Sequence, residues 1–353
     1  MAKSFKVGII GSGGIARGAH LPGWAALADQ GVEIVAVADI SKETAEKAAA
    51  EFRVPEVHTD YRKLLARKEL DAVSVCTPAA LHREHAVAAL VRGVHVLCEK
   101  PLCLSGAECA AIAAAAKQSG KLFMTAQHQR FTGEAQALHR YLSDGSLGDI
   151  YYVHARALRR RTLPAVPTFM FKRLSGGGPL LDIGVHILDL AWWLMGKPRP
   201  VTVSGVTHDK MIRKGGRIYN SWGEWDPKKT DVEDFACGLV RFETGAVLYL
   251  ESSFILNMKE RSVFTATLHG TEAGASWPDC EIFGEKHKLV TDTKITNVNT
   301  KVNAHHAEVA AFFEAIRDGK KSPVPLAETK WVIAMLEGLY HSAETGAEIR
   351  LKA

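Results

Sequence analysis

The sequence predicts an α/β domain built from parallel βαβ units, followed by a strand-rich α+β domain. Three observations carry that prediction. Short β-branched runs alternate with alanine-rich helical stretches in the first part of the chain. A glycine-rich turn, GSGG, joins the first of those runs to the first helix. Near residue 126 the alternation gives way to strands that follow one another without helices between them. With 353 residues the chain is long enough for two domains and a large core without disulfide or metal staples.

Residues 6–10, 34–38, 72–75, 95–97 and 122–125 read as buried strands, because each is a short apolar run without polar alternation. Residues 15–29, 42–51, 79–92 and 105–119 between them read as helices. The alanine-rich run 110–116 reflects high helix propensity, not low complexity. After one more helix at 134–142, strands are expected at 150–157, 201–206, 234–242, 246–254 and 264–269. The FETG segment at 242–245 has the composition of a hairpin turn. Helices at about 304–318 and 328–343 close the chain. The expected boundary gives domains 1–125 and 126–353, with no internal repeat.

Composition narrows the function classes. Hydrophobic residues make up 47% and charged residues 24%, and the formal charge is +5. Basic residues are scattered, apart from Arg156, Arg159, Arg160 and Arg161, so no nucleic-acid footprint emerges. None of the six cysteines forms a CxxC pair, which fits reduced thiols in a cytoplasmic protein. The first residues run straight into a strand without a signal-peptide pattern, and no apolar stretch is long enough to span a bilayer.

Gly11, Gly13 and Ala16 form GxGxxA directly after a strand and at the start of a helix. In that context the first glycine serves a tight turn, the second admits a pyrophosphate, and the alanine lets helix pack on strand. The backbone of Gly14 and Ile15, at the helix N-terminus, faces the phosphates. Asp39 ends the second strand, where a carboxylate binds the adenosine ribose and disfavours a 2′-phosphate, so NAD is expected over NADP. Lys42 could soften that preference. Asp39 could instead cap the following helix, a role Ser41 fills equally well. Thr77 and Pro78 end the next strand, and His82 follows one turn later. These residues belong to the ligand crevice, unless His82 is an ordinary residue at a helix start.

Glu99, Lys100 and Pro101 end a further buried strand. A lysine there can hydrogen-bond a substrate oxygen and stabilise a developing alkoxide. The alternative is a surface ion pair at a strand end. In GGGPLLDIGVHILD, at 176–189, Asp182 and His186 stand four residues apart behind a glycine–proline stop, so both project from one helix face. An imidazole suits transfer of a hydroxyl proton, and a carboxylate can orient it. Alone, the pair reads first as a satisfied core histidine with an acid near a helix start. No third ligand makes it a metal site.

Together, GSGGIA at 11–16, CEKPL at 98–102 and GGGPLLDIGVHILD resemble the Gfo/Idh/MocA oxidoreductases, a family of sugar and cyclitol dehydrogenases. The resemblance covers essentially the whole chain. It implies a Rossmann domain followed by an open, mostly antiparallel sheet domain, and a homo-oligomer, dimer or tetramer. It implies that Lys100 contacts the reacting hydroxyl, that His186 is the acid–base residue, and that Asp182 positions substrate and partner groups. Glu99 would lie with Lys100 beside the cofactor. RALRRR at 156–161, GEWDP at 223–227, VEDFACGLVRF at 232–242 and LESSFILN at 250–257 are similar to a subgroup, the bacterial D-glucoside 3-dehydrogenases. That similarity makes His128, Arg130, Arg159, Arg160, Trp222 and Trp225 candidates for sugar contact. Solvated arginines and loop-packing tryptophans are the plainer account of each. Two other activities fit the same motifs: an NAD-dependent glycoside hydrolase, and a non-catalytic NAD-binding regulator.

Overall fold

The computed structural model describes residues 4–221, 223 and 226–352. The chain forms two compact units, one of residues up to His128 with Asn303–Lys330, the other of Gln129–Val302 with the chain from Trp331 onward.

The first unit holds a six-stranded parallel sheet of β1 (Phe5–Ile10), β2 (Val32–Ala38), β3 (Glu56–His58), β4 (Ala72–Val75), β5 (His95–Cys98) and β6 (Phe123–Thr125). The spatial order is β3-β2-β1-β4-β5-β6. That order reverses between β1 and β4, which opens a crevice at their carboxyl ends. β4 and most of β1 are buried, as strands covered on both faces must be. The intervening helices show the expected caps: Ser41 accepts from Thr44 N–H, and Ser105 accepts from Glu108 N–H. The helix after the glycine loop contains a π turn, Ala16–His20, before it continues as Leu21–Ala25.

Helix Ala304–Arg317 differs from the sequence expectation, which assigns it to the second domain. It belongs to the first unit. Its Phe312 meets Trp24 edge-on at 6.1 Å, and Phe313 meets Phe5 edge-on at 5.2 Å. A Cβ on Gly23 would come within 2.9 Å of Val309, so a glycine is what lets the helix seat there. The apolar face of a helix announces burial, not the surface that buries it.

The second unit is built on a nine-stranded sheet. Its strands are β7 (Ile150–Arg159), β9 (Pro200–His208), β11 (Phe235–Phe242), β12 (Val247–Ser253), β13 (Ser262–Gly270), β14 (Ala273–Trp277), β15 (Glu281–Lys286), β16 (Leu289–Lys294) and β17 (Ile349–Arg350). The order is β16-β15-β14-β13-β7-β12-β11-β9-β17, antiparallel throughout except for the parallel pair β7/β12. The predicted hairpin is present: β11 and β12 pair in antiparallel register around residues 243–246. A separate two-stranded ribbon joins β8 (Thr162–Leu163) to β10 (Asn220–Ser221). The buried helix that begins at Leu180 packs across β7, β12 and β13, with Val153, Ala155, Leu248, Leu250 and Ala266 in its core. Among the described residues no helix is long and apolar enough to cross a membrane.

Candidate active site

In the first unit the glycine loop has the form a dinucleotide requires. Gly11 has φ +86°, and a Cβ there would sit 2.8 Å from the Cys76 carbonyl, so no other residue fits. Ideal Cβ positions on Gly13 and Gly14 meet nothing within 4 Å, leaving bare backbone facing open space. Ile15 is partly exposed beside them. Asp39 Oδ2 accepts the Ser12 N–H at 2.8 Å, and Oδ1 accepts the Ser41 N–H at 2.9 Å. Ser41 is the helix cap, so Asp39 is left to brace the glycine loop with acceptor capacity to spare. Lys42 pairs with Glu46 at 3.4 Å on the exposed face.

Thr77 and Pro78 lie at the end of β4, and Thr77 Oγ1 meets His85 Nδ1 at 3.0 Å. His82 is buried, with Nδ1 2.9 Å from the Pro101 carbonyl and Nε2 2.7 Å from the Thr77 carbonyl. Both ring nitrogens therefore face backbone acceptors, and the side chain clasps the end of β4 to the segment after Lys100. Two carbonyls call for two N–H donors, whereas burial pushes the His82 pKa down. The geometry decides its role either way: both nitrogens are spent on the backbone.

Glu99 is buried at the end of β5. Burial opposes its ionisation, but the hydrogen bond from His20 and the charge of Lys100 outweigh it and hold the carboxyl at about 2. Its Oε2 also accepts the Lys100 backbone N–H at 3.0 Å. The Lys100–Pro101 peptide is cis. Further along, His128 stacks on His305 with ring centroids 4.0 Å apart. Burial, then the neighbouring His305, brings the His128 pKa down to about 3. His20 and His305 belong to this cluster, and neither was a candidate from sequence. A histidine in a helix gives no local signal of a partner that lies far along the chain.

In the second unit the glycine run is explained by two residues distant in sequence. A Cβ on Gly177 would fall 2.0 Å from the Tyr340 hydroxyl, and one on Gly178 would fall 2.3 Å from the Glu233 carbonyl. Glu233 reaches in beside them. Its Oε2 accepts the Gly178 N–H at 2.8 Å, and its Oε1 accepts the Leu180 N–H at 3.2 Å and the Tyr340 hydroxyl at 2.7 Å. This buried carboxylate caps the helix, satisfying donors that a helix start leaves open. Burial, with the Glu233 charge beside it, raises the Tyr340 pKa well above its ordinary value.

The helix opens with a π turn, Leu180–Gly184, and continues as Val185–Leu194. π turns inside helices occur often at functional sites. Asp182 sits in that turn and His186 one turn on, both buried. Arg159, at the end of β7, lies in the field of Asp182: burial pushes the arginine pKa down and the Asp182 charge opposes the shift. Its Nη1 is buried with no hydrogen-bond partner among the described residues. Arg160 points elsewhere, donating to the Lys259 carbonyl at 3.3 Å with its guanidinium 6.0 Å from the Tyr219 ring. Arg130 is committed to a buried bidentate pair with Asp189, two bonds of 2.7 Å. Trp222 and Trp225 lie outside the described residues. Among the described residues no three His, Cys, Asp or Glu side chains are grouped to hold a metal ion.

Residues 5–127 match the oxidoreductase family described as having an NAD-binding Rossmann fold, and residues 135–290 match the Gfo/Idh/MocA C-terminal domain. The chain belongs to the Gfo/Idh/MocA oxidoreductases. It is 34% identical to the D-glucoside 3-dehydrogenase of Escherichia coli over 98% of this chain and 97% of that one. It is 29% identical to a putative UDP-kanosamine synthase oxidoreductase subunit of Amycolatopsis mediterranei over 96% of both. An oxidoreductase domain protein from Kribbella flavida shares the fold with a TM-score of 0.86 at 23% identity, covering 99% of this chain and all of that one. Levoglucosan dehydrogenase, solved with NADH and levoglucosan, shares it at 0.84 and 23% over the same spans. The parallel sheet and the open antiparallel sheet are thus the two halves of a Gfo/Idh/MocA enzyme, and the bare glycine loop with Asp39 fits the dinucleotide of that fold.

Proposed function

We propose that the protein is an NAD-dependent dehydrogenase of a sugar secondary alcohol, the 3-hydroxyl of a glucoside. The observation that carries this reading is the full-length similarity to D-glucoside 3-dehydrogenase, 34% over 98% of the chain. Gly11, Gly13, Gly14 and Ile15 would hold the pyrophosphate, with Thr77, Pro78 and Glu99 flanking it and Asp39 on the ribose. A carboxylate at that position supports NAD over NADP. The bound nicotinamide supplies the two-electron acceptor.

The chain's own part is proton handling and orientation. His186 takes the hydroxyl proton, with Asp182 on the same helix to orient the imidazole and stabilise its protonated form. Lys100 donates to the same oxygen and stabilises the charge that develops there. Arg159, with a buried Nη1 that has no acceptor among the described residues, donates to a sugar hydroxyl, and His128 and Trp225 line the sugar. His82 acts through the backbone it clasps. Six free thiols, five of them buried, suit a reducing cytoplasmic setting. A homo-oligomer is expected from the family resemblance.

The test is NADH absorbance with purified protein, NAD or NADP, and glucose, methyl glucosides, glucose disaccharides, anhydrosugars and inositols. A signal with NAD and glucosides is expected, and Lys100→Ala or His186→Ala should abolish most of it while NAD still binds. Silence across the panel would refute the dehydrogenase. Free sugar released with catalytic NAD would then identify a hydrolase, and tight NAD binding without turnover a regulator.

A further inference from the structure

A buried hydrogen-bonded chain runs through the centre of the first unit. Trp24 Nε1 donates to Ser74 Oγ at 2.8 Å, and Ser74 Oγ lies 3.0 Å from His20 Nδ1. His20 Nε2 lies 2.9 Å from Glu99 Oε1, and Glu99 Oε2 accepts the backbone N–H of Lys100. Trp24 and Ser74 are wholly buried, His20 is 1% exposed and Glu99 6%. Counting hydrogens orders the chain. Since Trp24 donates to Ser74, the serine hydroxyl hydrogen can point at His20 Nδ1. That places the ring hydrogen on Nε2, aimed at the Glu99 carboxylate, and every group is satisfied. The carboxylate then holds one rotamer, with its second oxygen on the lysine's own amide.

We propose that His20 is a positioning residue for the reaction, acting through Glu99 to fix the backbone from which Lys100 extends. The inference rests on the proposed role of Lys100. Packing alone does not call for this chain, because replacing both partners of a buried hydrogen bond by apolar groups of the same shape costs little stability. Geometry gives it a use. His20 sits on the helix that the glycine loop opens, so the relay ties the dinucleotide loop to Lys100. A lysine donor misplaced by about 1 Å forfeits roughly 100-fold in rate.

The test compares His20→Gln, whose amide N–H can take the place of Nε2–H toward Glu99, with His20→Asn, whose shorter amide reaches Ser74 but not Glu99, and with apolar His20→Phe. Thermal melts establish which variants fold, and titration of cofactor-induced fluorescence quenching gives the NAD Kd. The glutamine variant should keep kcat within about threefold of wild type. The asparagine and phenylalanine variants should lose about 100-fold in kcat, with sugar KM and NAD Kd little changed. Should phenylalanine fail to fold, the glutamine–asparagine contrast carries the test. Equal kcat in those two variants, or loss confined to KM, would overturn the role of His20. Lys100→Ala in parallel separates the two readings. Near-normal turnover there refutes the role of Lys100 itself, whereas a dead Lys100→Ala beside a fully active His20→Asn refutes only the relay.

Discussion

Glu233 is the residue on which the helix carrying Asp182 and His186 depends, and its removal has a calculable consequence. Glu233→Ala strips one buried carboxylate from three donors: the Gly178 N–H, the Leu180 N–H and the Tyr340 hydroxyl. A hydrogen bond to a charged acceptor contributes about 1.5–3 kcal/mol, and a buried donor left without one costs about 1–3 kcal/mol. Two of the three bonds are short, and relief of the carboxylate's own desolvation offsets part of the loss. The balance is about 4 kcal/mol. Glu233→Gln keeps one oxygen acceptor but turns an NH2 toward the other donors, so about half of that loss is expected. Tyr340→Phe removes a single bond and should lower stability by about 2 kcal/mol. In a unit of this size, Glu233→Ala should lower the melting temperature by about 8–16 °C, and Glu233→Gln and Tyr340→Phe should each lower it by about half as much. Amide hydrogen exchange gives the local readout: Leu181–His186 should lose protection, because a helix without its cap frays from that end. A melting temperature within about 2 °C of wild type, or unchanged exchange at those amides, would refute the capping role.

Other perturbations have equally definite signs. His85 and His95 are driven down to about 4 by burial, and His128 to about 3. The unfolded chain binds protons below about pH 6.5 that the fold excludes, so stability is full above that pH and falls as pH drops toward 4. Each histidine contributes at most about 1.4 kcal/mol per pH unit, and the half-buried His95 less, because solvent screens it. At His95 the charge of Lys121 adds to burial, and its Nδ1 accepts the Leu122 N–H at 2.9 Å, a bond that protonation breaks. A melting temperature equal at pH 7 and pH 5 would contradict this. Arg130→Leu or Asp189→Leu alone leaves a buried charge unpaired and should lower stability by about 3–5 kcal/mol in denaturant titrations. The double leucine variant should recover most of that loss. Asp39→Ala should weaken NAD and narrow its advantage over NADP in steady-state kinetics, since Asp39 braces the Ser12 amide and disfavours a 2′-phosphate. An unchanged NAD/NADP ratio would remove Asp39 from cofactor choice.

The first unit's strands are legible because burial on both faces writes each as an uninterrupted apolar run. Runs expected at 72–75 and 95–97 are found as Ala72–Val75 and His95–Cys98. The one it hides is β3, three half-buried residues, Glu56–His58, with a charged residue at one end and a histidine at the other. In the second unit β7, β9, β11, β12 and β13 are visible, but β14–β16 are not. β15 and β16 have little buried surface, as in Leu289–Lys294, and solvent imposes no alternation to read, whereas β14, Ala273–Trp277, is short and mixes small residues with one buried tryptophan. Helix Ala304–Arg317 is legible as a helix and illegible as a member of the first unit, since its partners Phe5 and Trp24 lie almost the whole chain away.

The same distinction separates the parts of the candidate site. Gly11, Asp39, Lys100, Asp182 and His186 can be found because their spacing within a strand–turn–helix or a single helix is itself the chemistry. His20 and Glu233 cannot, because each acts through a partner brought near only by folding: Glu99 is 79 residues from His20, and Gly178 is 55 from Glu233. The glycine run shows both kinds of information in one motif. Its sequence says that a helix starts after it, but Gly177 and Gly178 are glycines because Tyr340 and Glu233 occupy the space a Cβ would need. Gly11, Asp39, Lys100, Asp182 and His186 are the residues proposed to touch substrate or cofactor, whereas pattern also names His82, Arg130 and Arg160, which the fold commits to protein partners. Substituting Gly178 should therefore resemble losing Glu233 in its effect on the helix, although neither change touches Asp182 or His186. Gly178→Ala should not be rescued by Glu233→Ala, since the obstructing atom at 2.3 Å is the backbone carbonyl of residue 233 and remains whatever side chain stands there.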